Sequence, residues 1–187
     1  MTALSPCAEF LSRLAGVWRN TGDSNGQGFP TALAGAGAPP FSFREEWTFH
    51  APQHVVAAPL LISTAASWNP TVAAQPTMHT DAGVIKCVGA DKAVWSIGHG
   101  FGAAEVVQGV AAPDGKAMTF TGSRADITGS KLVHGTKRTL HWSGASAGQA
   151  AELKYQFFMQ AKAEGSSGTP EMRLHLSNSM TRQSVAA

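Results

Sequence analysis

After Gly16 the apolar residues of this chain recur at every second position, and a period of two dictates a sheet. Residues 41–49 show it most clearly. Phe41, Phe43, Trp47 and Phe49 alternate with Ser42, Arg44, Glu46 and Thr48, as in a strand with one buried face. Glu45 alone breaks the apolar side. Comparable runs lie at 17–22, 60–68, 82–88, 93–99, 103–110, 117–123, 132–141, 153–161 and 172–181, which makes ten strands in all. Turn residues fill most gaps, as in Gly89-Ala90-Asp91, Gly100-Phe101-Gly102 and Ala112-Pro113-Asp114-Gly115. Short connections require antiparallel neighbours, and closing the sheet on itself removes its exposed edges. The expected fold is all-β, a ten-stranded antiparallel up-and-down barrel with room for a ligand inside.

One short helix precedes the sheet. Ser5 can cap it, Pro6 suits its first turn, Phe10, Leu11 and Leu14 form its apolar stripe, and Gly16 can end it. Segments 23–28, 32–40, 144–151 and 165–170 are rich in glycine, alanine, serine or proline and read as loops. A length of 187 residues fits a single domain spanning 1–187.

Charged residues make up 14% of the chain against 43% hydrophobic, which excludes a disordered segment. A net charge of +2 advertises neither a nucleic-acid surface nor a membrane surface. No apolar run approaches the ~18 residues of a spanning helix. No basic region followed by an apolar core begins the chain, so the expected location is cytoplasmic. Two cysteines, Cys7 and Cys87, are too few for a disulfide framework and are expected to be reduced, unpaired thiols.

The histidines offer no ready metal cluster. His50 and His54 have the spacing of a helical pair, but Pro52 between them disfavours a helix. His134 and His141 are seven apart on a strand and so fall on opposite faces. Uniform alternation along 172–181 puts Met172, Leu174, Leu176 and Met180 on the packing face, and Arg173, His175, Ser177, Ser179 and Thr181 on the wetter one. From the residues alone, His175 is an exposed histidine. Glycine-rich phosphate loops and a G-x-S-x-G elbow are absent.

Several short motifs in register nevertheless resemble one family. Gly16, Trp18 and Gly22 are followed by Pro30 and Thr31, then by Glu45, Trp47 and Phe49. Met78-His79-Thr80-Asp81-Ala82-Gly83 comes next, then Gly102, Glu105, Val106 and Gly109, then Lys131, and finally Leu174-His175-Leu176. Together they resemble the nitrobindins, haem-binding β-barrels related in shape to lipocalins and fatty-acid-binding proteins. The resemblance implies haem b as cofactor, with His175 as the iron ligand and the catalytic residue. It also implies Thr31 in the haem pocket, Lys131 near a haem propionate and His79 on the opposite side of the haem, although His79 also reads as a polar loop residue. It further implies binding of nitric oxide and isomerisation of peroxynitrite to nitrate.

Two departures from the family pattern keep rivals open. Asn20 replaces a usual glycine, and residues 32–40 form a long loop. The rivals are a carrier of an apolar ligand such as a fatty acid, and a haem-free interaction module. A monomer and a homodimer are both compatible with the sequence.

Overall fold

A computed structural model describes residues 3–20, 26–29, 39–52, 59–71, 77–144, 150–162 and 167–184. The chain begins with α1 (Pro6–Leu14), followed by β1 (Gly16–Arg19), β2 (Gly26–Gly28), β3 (Phe41–His50), β4 (Leu60–Trp68), β5 (Thr77–Cys87) and β6 (Lys92–His99). It continues through β7 (Ala104–Ala111), β8 (Ala117–Ser123), β9 (Ile127–Thr128), β10 (Val133–Ser143), β11 (Glu152–Ala161) and β12 (Met172–Arg182). Neighbouring strands are antiparallel, and sequence neighbours are spatial neighbours almost throughout. β1 and β2 each pair with both β3 and β12, so they share one position in the wall and close it. β9 is a two-residue flange on β7. The result is the expected closed ten-stranded antiparallel barrel with one short N-terminal helix.

β2 occupies residues the sequence marks as loop. Its two glycines explain the difference. A Cβ on Gly26 would fall 2.4 Å from the Phe43 ring, and one on Gly28 only 2.1 Å from the Phe41 ring. The missing side chains let both rings lie across the strand, so a glycine-rich segment is the one that fits here.

The barrel's interior has two zones. At one end α1 seals the core. The Ser5 hydroxyl accepts a 3.4 Å bond from the Ala8 amide, and the Trp18 indole donates to the Leu14 carbonyl at 2.7 Å, so both ends of the helix are capped. Phe10, Leu11 and Leu14 pack there with Trp18, Trp47, Phe49, Trp95, Phe120 and Met180 in one buried cluster. Burial of such side chains, worth about 1.5–3 kcal/mol each, is the main cohesive force.

Cys7 and Cys87 are joined in a disulfide, which corrects the expectation of free thiols. The helix lies against the turn after β5, where the Cys7 amide donates to the Ala90 carbonyl at 2.9 Å. That docking brings two residues 80 apart in sequence to a Cα separation of 6.0 Å. Cysteine count and compartment statistics carry no information about where a helix docks.

Asn20 also has a structural account. It is buried just past the end of β1, where its Oδ1 accepts from the Glu45 amide at 2.8 Å and its Nδ2 donates to the Phe43 carbonyl at 3.1 Å. The Asn20 backbone amide still donates to the Glu45 carbonyl at 3.3 Å, and the side-chain amide supplies the remaining ladder bonds to β3.

Candidate functional site

The other end of the barrel holds an open-mouthed cavity with about 210 Å³ of space for water-sized molecules. Most of the main strands line it with inward-facing residues. β3 contributes Phe41, Phe43 and Glu45 before Trp47 and Phe49 continue into the core. β11 contributes Tyr155, Phe157 and Met159, and β12 contributes His175 and Leu176.

That two consecutive residues of β12 face one cavity contradicts uniform alternation. The cause is a β-bulge. Phe157 is paired with Leu176 and Phe158 with Leu174, so His175 is the extra residue, without a partner on β11. On its other side the Phe29 amide donates to the His175 carbonyl at 2.7 Å, and the His175 Nδ1 lies 2.8 Å from the Phe29 carbonyl oxygen. A carbonyl only accepts, so Nδ1 carries the proton and the lone pair sits on Nε2. Among the described residues Nε2 has no hydrogen-bond partner. Burial lowers the pKa of His175, which favours the neutral ring. Phe41 and Phe157 present their edges to it at centroid distances of 6.4 and 5.9 Å. A neutral, oriented imidazole with a free Nε2 in an aromatic-walled cavity is a group that could hold a haem iron.

A polar wall also lines the cavity. His79 lies in β5 rather than in a loop, and its Nε2 is 2.6 Å from Asp81 Oδ1. His99 is a second, unanticipated histidine: its Nδ1 is 2.6 Å from the same oxygen and its Nε2 is 2.9 Å from Glu105 Oε1. Glu105 also accepts from the Thr136 hydroxyl at 2.7 Å and is ion-paired with the buried Arg138. Burial opposes ionisation of Asp81, but the hydrogen bonds from His79 and His99 prevail and hold it at about 2. Glu105 is likewise held at about 2 against its burial, by His99 and Arg138. His99 is correspondingly raised to about 9, since its two carboxylate partners outweigh its desolvation. Glu45 goes the other way: burial pushes it up to about 7, and hydrogen bonding, led by the 3.0 Å bond from Asn178, offsets only part of that.

His175 and His79 therefore share the cavity. Lys131 is exposed, between Ser130 and Val133, which line it. Thr31 lies outside the described residues. The strand pattern carried a signal for the rest. Glu105, Thr136 and Arg138 are polar residues on otherwise apolar inward faces, the same irregularity that marks Glu45.

Comparison with curated proteins finds no match. The crystal structure of Rv2717c from M. tuberculosis superposes with a TM-score of 0.69 over 97% of this chain and 100% of that one, at 23% identity, a likeness of fold. The model of the THAP4-like, heme-binding beta-barrel domain matches residues 8–182, and the chain belongs to that family.

Proposed function

We propose that this barrel holds a b-type haem through His175 and uses it to bind nitric oxide and to isomerise peroxynitrite to nitrate. The observation that carries this reading is the His175 bulge, which turns an imidazole with a free Nε2 into the cavity while the Phe29 carbonyl holds its other nitrogen. Non-covalent attachment follows from the cysteines. The chain has two, and they are joined to each other, leaving no thiol for a thioether link.

The haem would supply an iron with one coordination position open to a small ligand. The chain's own residues supply the surroundings. His175 binds and orients from one side, with Phe157, Met159 and Leu176 forming an apolar wall that keeps water away. Nitrate has the same atoms and charge as peroxynitrite, so no net proton is required from the protein. Lys131, beside two cavity-lining residues, is suitably sited to meet a propionate at the mouth, where a cation is favoured. Thr31 and His79 complete the set of proposed haem neighbours.

Stopped-flow mixing of the ferric, haem-loaded protein with peroxynitrite tests the reaction. Accelerated decay with nitrate as the product supports it; decay no faster than in buffer with free haemin rejects it.

A carrier of an apolar acid is the weaker reading. Arg138 and Tyr155 both line the cavity, as a carboxylate site would need, but the guanidinium is already paired with Glu105.

A further inference from the structure

We propose that His79, Asp81 and His99 form a binding site for a divalent first-row metal ion, distinct from the iron that His175 would hold. The site goes beyond the haem reading and does not rest on it.

Sheet geometry assembles it. His79 and Asp81 are two apart on β5 and so share a face, and Asp81 stands directly opposite His99 in the β5–β6 register. One ligand atom from each residue lies within 4.8 Å of the others. Both nitrogen–oxygen contacts to Asp81 are 2.6 Å. An ion with ligands at ~2.1 Å in tetrahedral array needs them about 3.4 Å apart. Opening each contact to Asp81 by less than about 1 Å, with the two ring nitrogens, already within 4.8 Å of each other, adjusted to the same spacing, would seat all three on one ion.

The surroundings of His99 are those of a metal-binding histidine. Its Nδ1 faces Asp81 while its Nε2 is held by Glu105, which Thr136 and Arg138 anchor in turn. A carboxylate on the far nitrogen is the usual support for a ligating imidazole, fixing its tautomer and its aim. Phe101 stacks on His99 at 5.1 Å with 13° between planes, and sits 5.4 Å from His79, shielding both rings. The ion would take the place of the protons that His79 Nε2 and His99 Nδ1 share with Asp81. The carboxylate and the two imidazoles so freed suit zinc, cobalt or ferrous iron, and three protein ligands leave a position open towards the cavity.

Titration of the haem-free protein with Co²⁺, read by its visible d–d absorption, tests the site, with Zn²⁺ as competitor. Saturation at one equivalent is expected, weakened at least about tenfold in His79→Ala and Asp81→Asn and unchanged in His175→Ala. Long-range ¹H–¹⁵N imidazole spectra of the unaltered protein with Zn²⁺ should shift the resonances of His79 and His99 and spare those of His134 and His141. Absence of saturable binding, equal binding in Asp81→Asn, loss of binding in His175→Ala, or unmoved His79 and His99 signals would each overturn the proposal.

Discussion

Phe29 and His175 are locked by two reciprocal bonds: the Phe29 amide donates to the His175 carbonyl at 2.7 Å, and the His175 Nδ1–H donates to the Phe29 carbonyl at 2.8 Å. The first bond positions the bulged backbone and the second sets the ring. The imidazole is therefore oriented before any ligand arrives, which lowers the cost of binding one. This arrangement depends on β2, whose last residue, Gly28, is directly paired with Leu176.

Gly28→Ala should disturb that support. Its Cβ would land on the Phe41 ring, which would have to swing off the strand, towards the cavity it lines. A loss of about 1–3 kcal/mol in stability is expected from overpacking, with weaker haem retention alongside. Chemical denaturation and haem transfer to a scavenging apoprotein measure the two effects separately.

Leu176→Ala should affect both site and stability. Alternation in the sequence puts Leu176 on the face opposite His175, which would make it purely a packing residue. The bulge instead puts both on the cavity wall, with Leu176 only partly buried. The expected cost is about 1–2 kcal/mol, below the 2–5 typical of a fully buried leucine. The Soret band should shift as well. An unshifted band together with a large destabilisation would place Leu176 in the core instead.

Reduction of Cys7–Cys87 should destabilise the barrel by about 2–4 kcal/mol, because the crosslink closes a long loop. Thiol titration under denaturing conditions should find no free thiol before reduction and two after it. Two thiols in protein never exposed to reductant would contradict the crosslink.

Glu45 should make stability fall as pH rises. Its carboxyl is raised to about 7 in the fold from a usual 4.5, so the folded state holds a proton that the unfolded chain releases. The folded state therefore loses stability between pH 4.5 and 7, by a few kcal/mol. Among the titratable groups around it, Asp81 raises and His79 lowers its pKa, and both are smaller influences than burial. Glu45→Gln should flatten this slope in urea denaturation followed across that range; an unaltered slope would assign it to another group.

The barrel was legible because its main strands keep period two. β3 is buried at Phe43, Glu45, Trp47 and Phe49, as the alternation requires. The features that escaped are those that break periodicity or depend on distant contacts. The bulge at His175 inserts one residue without any compositional mark, so the sequence placed the ring on the wetter face. β2 was hidden because Gly26 and Gly28 serve neighbouring phenyl rings rather than their own strand propensity. His99 ends a strand in the sequence, and only the β5–β6 register sets it against Asp81. The pairing of Cys7 with Cys87 likewise depends on how α1 docks.

The most direct test of the account is a haemin titration of the protein and of His175→Ala, read at the Soret band. The unaltered protein should bind one equivalent with the spectrum of a histidine-ligated ferric haem, and nitric oxide should shift the band of the ferrous form. His175→Ala should retain the barrel's circular dichroism and lose that spectrum. An identical Soret band in His175→Ala would contradict the assignment of His175 as the iron ligand, and with it the proposed function.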